Sequence, residues 1–369
     1  MLKKVLITLN NSKLSGIERY ALLLAENINK TEFDVTIALP TQGPFCDLLE
    51  SNKIKYVIFN NKLNGKYTLS GIIFLFKHIF KTKYDVIHAQ AGVVPCIFGK
   101  LLGVKLVIEH KHGLDFTIEQ INSFNIFSVF YQKAKKYFCD LTLTVCDRDK
   151  NILVNKFNYK IDKVITIYNG IKPIYETRKS FNSENPIKIG TVGRLTYQKA
   201  QEYFIDLAEK ICKESLLCEF LIYGDGEDYN KLKNLIKEKG LGKFVKLNGY
   251  TNDVDSVLKK LDIFVLTSRY EGIPYILLEA MNNSLPIIST NVGGINEVIE
   301  NNYTGLLVPE GDVLEMEKKL KLLLLDIDFR YELGKNAKNY FMKKFTLEKT
   351  IESIESIYKL DFKNPLWKN

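Results

Sequence analysis

A two-domain, doubly wound α/β architecture is what this sequence predicts. Three observations carry the prediction. Short Val- and Ile-rich runs alternate with helical patterns along the whole chain. The length of 369 residues exceeds one ordinary core and suits two domains. A polar stretch with prolines at both ends, NGIKPIYETRKSFNSENP (169–186), divides the alternating pattern into two similar halves.

In the first half, residues 3–9, 34–39, 84–89, 105–110, 141–145 and 163–168 read as strands. Helical periodicity fills 16–28 and 92–103. In the second half the strands are 187–193, 218–224, 244–249, 262–267 and 285–290. Helices are expected at 200–213, 228–239, 253–260, 274–283, 293–300 and 312–325, with a last one at 346–360. Strands alternating with helices imply parallel sheets built from βαβ units. The expected organisation is an N-terminal domain over 1–172, a C-terminal domain over 187–345, and a helix over 346–362 returning to the first domain. Ligands in such folds sit at the carboxyl ends of strands, which points to the cleft between the domains.

Composition excludes several classes. Hydrophobic residues are 46% and charged residues 26%, ordinary for a folded soluble chain. No apolar run approaches the roughly 20 residues of a membrane span. The opening MLKKVLITLN lacks the long apolar region of a signal peptide and reads as a first strand. The six cysteines form no CxxC and no paired framework, so reduced thiols and a cytoplasmic location are expected.

The charge of +9 is uneven: residues 1–175 hold 24 Lys and Arg against 14 Asp and Glu, the remainder 28 against 29. That excess fits either an ordinary solvated surface or an anionic acceptor or membrane surface beside the first half. Nucleic acid is not expected, because no basic stripe with interleaved aromatics is present. Two Phe- and Ile-rich stretches carrying lysines, 71–80 and 121–137, could lie on a bilayer or pack as core-facing helices.

Chemistry concentrates in four places. SRYEGIPYILLEAM (268–281) follows an apolar strand, so Glu271 and Gly272 fall in a loop and Pro274 fits the first turn of a helix. Free amides and the dipole at that helix start suit a phosphate. Glu279 lies ~7.5 Å along the helix from Pro274 at ~1.5 Å per residue. Carboxylates there could accept hydrogen bonds from sugar and ribose hydroxyls. Alone, two such glutamates equally describe a charged helix surface. VGRLTYQK (192–199) places Arg194 and Lys199 around a turn, where both could neutralise a pyrophosphate or could simply be solvated. NNSKLSGIERY (10–20) puts Gly16 at a helix start, where backbone can approach a ligand closely; it is not GxGxxG, which argues against a dinucleotide dehydrogenase. Of the histidines, His88, His110 and His112 fall at two strand ends and His78 stands apart. No carboxylate or cysteine spacing supports a metal site among them. One facing a sugar is the expectation, with His112 preferred to His110.

EGIPYILLEAM resembles the E-x7-E signature of the family 4 retaining glycosyltransferases, which have the GT-B fold. The resemblance runs through nearly the whole chain: SGIERY, DVIHA, His112–Gly113, NGI (169–171), VGRLTYQK, YGDGED (223–228), LNGYTNDV (247–254) and VGGINEVIENNYTGLLVPEGD (292–312). Two positions depart from the family pattern. Ser15 precedes Gly16 where two glycines are frequent, and Ser284 in MNNSLP stands where a glycine is usual.

The resemblance implies a nucleoside diphosphate-sugar donor, UDP ahead of GDP, and no metal. It implies Arg194 and Lys199 on the diphosphate and Glu271 on the transferred sugar, with the backbone at Gly272 and Ile273. Glu279 would hold the ribose, His112 would meet the sugar from the first domain, and the Gly16 loop would line the donor side. A glycan or lipid-linked glycan would be the acceptor, with retention, in cell-surface polysaccharide or capsule synthesis. Two competitors are a nucleotide-sugar 2-epimerase of related fold, which needs no acceptor, and a non-catalytic sugar-nucleotide-binding partner.

Overall fold

The computed structural model describes residues 2–59, 68–90, 92–114, 135–176, 186–213 and 217–360. The chain divides into two units, Met1–Asn169 with Leu347–Asn369, and Gly170–Thr346. Most of the stretch 121–137, and residues 177–185 of the expected linker, lie outside the described residues.

The first unit is built on a seven-stranded sheet of order β3-β2-β1-β4-β5-β6-β7. Its strands are β1 (Lys3–Thr8), β2 (Phe33–Leu39), β3 (Tyr56–Ile58), β4 (Val86–Ala89), β5 (Leu106–Lys111), β6 (Leu141–Thr144) and β7 (Val164–Thr166). Every pairing is parallel. Parallel strands need cover on both faces, which is why β4, β5 and β6 are buried at every position. The helices α1 (Gly16–Asn27), α2 (Pro44–Ser51), α3 (Leu69–Thr82), α4 (Val94–Leu101) and α5 (Asp147–Phe157) supply it. Strand order reverses between β1 and β4, so the switch point lies at their carboxyl ends.

The second unit repeats the scheme with six parallel strands in the order β10-β9-β8-β11-β12-β13. They are β8 (Ile187–Val192), β9 (Cys218–Tyr223), β10 (Val245–Leu247), β11 (Ile263–Leu266), β12 (Ile287–Thr290) and β13 (Leu306–Val308). Their helices are α6 (Gln201–Cys212), α7 (Tyr229–Glu238), α8 (Val254–Lys260), α9 (Tyr275–Asn282), α10 (Ile295–Val298), α11 (Val313–Leu325) and α12 (Ile327–Lys344). Asp253, Asp312 and Asp326 cap α8, α11 and α12 by accepting from the third residue onward, the usual role of a short carboxylate before a helix. Phe204, Phe220, Ile189 and Ile263 are fully buried in one core against α6. Here the switch point falls between β8 and β11.

Several expectations shift. Helix 293–300 shrinks to the four residues of α10, and β3, β13, α2, α5 and α12 were not anticipated. Pro274 is not in the first helical turn. It is the N-cap, with an extended ψ of 134°, and the helix starts at Tyr275. Residues 170–176, expected as linker, are held by the second unit. Ile171 bridges Thr346, Ile174 N donates to Asn282 Oδ1 at 3.0 Å, and Asn282 Nδ2 donates to Lys172 O at 2.9 Å. Ser284 has φ of 55°, so the departure from glycine sits at a left-handed turn just after α9.

The last helix, α13 (Leu347–Lys359), packs within the first unit. Its stripe of Ile351, Ile354, Ile357 and Tyr358 is buried. Asn29 N donates to Glu355 Oε1 at 2.7 Å, and Lys3 Nζ to Tyr358 O at 3.0 Å.

Candidate active site

In the second unit two of the residues singled out by sequence, Lys199 and Glu271, meet at the switch point. Lys199 sits in the turn between β8 and α6, and Glu271 follows β11. Although 72 residues apart, they form an ion pair: Lys199 Nζ to Glu271 Oε1, 2.6 Å, with the side chains 13% and 7% exposed. Ser268 Oγ donates to the same oxygen at 2.7 Å. The carboxylate is thus fixed before any ligand arrives. The lysine ammonium has three donors, so the pair leaves capacity for an anion.

The two loops are laced together behind this pair. Thr267 Oγ1 donates to Lys199 O at 2.9 Å, Arg269 N to Gln198 O at 2.8 Å, and Gln198 Nε2 to Tyr270 O at 3.0 Å. Ala200, next to Lys199, is held at φ of 50°, a conformation that costs a residue with a Cβ and persists only when surroundings impose it. Arg194 is exposed and donates to Gln198 Oε1 at 3.4 Å. Arg269 serves the scaffold instead. Its guanidinium donates to Tyr197 O at 2.6 Å and Glu202 Oε1 at 2.9 Å, and lies 4.0 Å from the Tyr197 ring centroid.

Glycines set the approach. Gly224, at φ of 146°, lies so close to β8 that a Cβ would fall 1.8 Å from Gly193 O. Gly293, at φ of 61°, packs on the glutamate loop, where a Cβ would fall 1.7 Å from Glu271 O. Gly294 N donates to Gly272 O at 3.3 Å. Gly272 is half-buried and Ile273 buried, leading into α9. Seven of the eight residues of α9 are buried; Glu279 is the exception. That exception separates Glu279 from a helix meant only for the core.

Gly16 and His112 belong to the first unit. Gly16 opens α1, and Ser15 Oγ donates to Glu18, whose carboxyl is pushed up by burial. The rings of His110 and His112 stack with their centroids 4.3 Å apart. His110 Nδ1 and His88 Nε2 are 3.1 Å apart, and His88 Nδ1 meets Tyr358 OH at 2.6 Å. Burial pushes the pKa of His88 and His112 down to about 3, with the neighbouring His112 adding to the effect on His88. His110 is shifted the same way. The column is therefore neutral at physiological pH. His110 is 1% exposed while His112 is only half-buried, so His112 is the member a ligand can reach. His78 stands apart, bonded to Tyr84 OH at 2.8 Å. Among the described residues, no group of three His, Cys, Asp or Glu could hold a metal ion.

Sequence reasoning missed Ser268, Gly293 and Gln90, the last bonded to His112. The only local signals were a hydroxyl three residues before Glu271, a Gly-Gly pair and a polar residue directly after β4.

Comparison with known proteins completes the case. Residues 14–173 match the model of Glycosyltransferase Family 4, and residues 174–340 that of Glycosyl transferases group 1. The chain belongs to family 4 of the glycosyltransferases. It is therefore an enzyme of the hexosyltransferase type.

Among relatives of this glycosyltransferase is the UDP-Gal:alpha-D-GlcNAc-diphosphoundecaprenol alpha-1,3-galactosyltransferase of Escherichia coli, 27% identical over 94% of each chain. The poly(ribitol-phosphate) alpha-N-acetylglucosaminyltransferase of Staphylococcus aureus is 25% identical over 80% of this chain and 60% of its own. The fold matches HepE of Anabaena, solved in complex with UDP-glucose, with a TM-score of 0.82, 21% identity and coverage of 97% and 100%. These neighbours identify the fold as GT-B.

Proposed function

We propose that this glycosyltransferase transfers a sugar from a UDP-sugar to a lipid-linked glycan, with retention, during cell-surface polysaccharide assembly. The observation that carries the reading is the Lys199–Glu271 pair at the β8/β11 switch point, where α/β sheets bind ligands. UDP is favoured because a relative is named for UDP-Gal and HepE was solved with UDP-glucose. The lipid-linked acceptor follows the name of the Escherichia coli relative.

In this reading Arg194 and Lys199 neutralise the departing diphosphate, whose bond to the sugar's anomeric carbon breaks. The acceptor hydroxyl attacks from the same face and its proton passes to the leaving phosphate. Glu271 fixes the sugar together with the backbone of Gly272 and Ile273. Glu279 accepts from the ribose hydroxyls, His112 contacts the transferred sugar, and Gly16 lets its loop approach the donor. None of these roles calls for a metal.

The test is a transfer assay with UDP-glucose, UDP-galactose, UDP-N-acetylglucosamine and GDP-mannose on an undecaprenyl-diphosphate-linked N-acetylglucosamine. A thermal-shift series with UDP and GDP accompanies it. UDP at 100 times its Kd is expected to add about 2.7 kcal/mol of stability. An epimerised nucleotide-sugar formed without acceptor would establish the epimerase instead, and binding without turnover on any acceptor would favour the non-catalytic partner.

The same reading places the enzyme at the inner face of the membrane as a peripheral protein. No described helix is long and apolar enough to cross a membrane. Residues 51–105 carry nine lysines against one acid, Asp85, which is itself paired with Lys105. Within that segment α3 contains no acid, and Leu69, Ile73 and Phe80 are 74%, 45% and 65% exposed. At about 100° per residue these three form one outward stripe, with Lys77 and Lys81 beside it. An apolar stripe flanked by cations suits an anionic bilayer surface, where each lysine adds about 1 kcal/mol. In vesicle flotation the double variant Ile73→Glu/Phe80→Glu is expected to lose at least about tenfold in affinity for phosphatidylglycerol vesicles, since two apolar contacts are replaced by repelled charges. Unchanged flotation would remove α3 from the membrane reading.

A further inference from the structure

The first unit holds a polar residue whose position is not explained by packing. Gln90 directly follows β4, is 2% exposed, and its carbonyl oxygen accepts from His112 Nε2. Its own amide nitrogen is buried without a partner among the described residues. An apolar residue would fill that place without leaving a buried donor unsatisfied, so the amide is costly unless its oxygen matters. Among the described residues, His112 is otherwise held only by rings. It stacks on His110 at 4.3 Å and meets the edge of Tyr20 at 4.8 Å. Stacking fixes the plane of an imidazole but not which nitrogen carries its proton.

We propose that Gln90 is a positioning residue that locks His112 as its Nε2–H tautomer and so turns Nδ1 into a hydrogen-bond acceptor for a hydroxyl of the transferred sugar. The argument is one of valence. A neutral imidazole has one donor nitrogen and one acceptor nitrogen. An amide oxygen only accepts, so the nitrogen facing it carries the proton. Nδ1 is then the lone-pair nitrogen, and no described residue bonds it. A sugar hydroxyl can donate to that nitrogen; the opposite tautomer would present a second donor and could bond only the hydroxyl oxygen. Burial keeps the ring neutral, so protonation does not override the lock. Tyr358, His88 and His110 support the ring from behind.

The inference rests on the role given to His112 above, and its test separates the two. With only four histidines in the chain, selective 15N-histidine labelling of the wild-type protein, assigned through His→Gln variants, reads the tautomer directly. A protonated Nε2 and bare Nδ1 on His112 are expected; a protonated Nδ1 overturns the proposal whatever the activity.

Steady-state kinetics then read the consequence. Gln90→Leu is expected to lower kcat by about tenfold, the equivalent of one neutral hydrogen bond, with UDP affinity unchanged. Combined with His112→Ala it should lower kcat no further than His112→Ala alone, because Gln90 acts through that ring. Additive losses would overturn the positioning role. Wild-type rates in His112→Ala would overturn instead the assignment of His112 on which the proposal stands.

Discussion

Glu271→Gln is expected to lower kcat by about 10²–10³-fold, the usual cost of removing one preorganised electrostatic group from a transition state. The substitution preserves shape and leaves an oxygen for Ser268 and Lys199, so the loop stays in place. What disappears is the negative charge beside a sugar that becomes cation-like as its bond to the diphosphate lengthens. Unfolding free energy should fall by no more than about 3 kcal/mol, the upper range for a hydrogen bond to a charged group. Lys199→Met offers the contrasting case. It removes a cation from the diphosphate side, so UDP affinity should drop as well as kcat. The two variants together are expected to be less than additive, because each removes one charge of the same 2.6 Å ion pair. Steady-state kinetics with a UDP titration check all three, and a wild-type kcat in Glu271→Gln would remove Glu271 from the chemistry.

The second large effect is expected from Gly293→Ala. A Cβ there would lie 1.7 Å from Glu271 O, and the atom it meets is backbone rather than the end of a flexible side chain. The left-handed φ of 61° adds its own penalty. Gly240→Ala isolates that penalty, because Gly240 has φ of 68° with nothing within 4 Å of its Cβ. The control should lose about 1–2 kcal/mol from φ alone. Gly293→Ala should lose about 2–4 kcal/mol once overpacking is added, and with it UDP affinity, since the loop carrying Glu271 must move. Denaturant unfolding of both variants decides the point. Equal losses would mean that the contact with Glu271 O relaxes freely and that Gly293 does not shape the site.

How much of this was legible depends on what each residue answers to. The strands β1, β8 and β11 were legible because a buried parallel strand needs apolar side chains on both faces, and such runs are local. Helix α12 was not, although its buried positions recur at helical spacing. They are Arg330, Leu333, Gly334, Ala337, Lys338 and Phe341, and four of the six are charged or very small. Lys338 is tolerated there because Asn282 supplies two oxygens, each at 2.7 Å, which no pattern within the helix announces. Pro274 was placed one step too deep, since proline is compatible with both the N-cap and the first turn and only ψ distinguishes them.

The sequence by itself determined the doubly wound class, the family motifs and the positions of Arg194, Lys199 and Glu271 as charged residues after strands, with Glu279 in the helix that follows. Periodicity and strand-end chemistry are written within a few consecutive residues, so no neighbour is needed to see them. Only the tertiary structure decided that Lys199 and Glu271 share one oxygen contact, that Arg269 is spent on Tyr197 and Glu202, and that Gln90 meets Nε2 of His112. Each of these joins residues between 22 and 72 positions apart. Their meeting is set by strand order, in which β4 lies beside β5 in the first sheet and β8 beside β11 in the second.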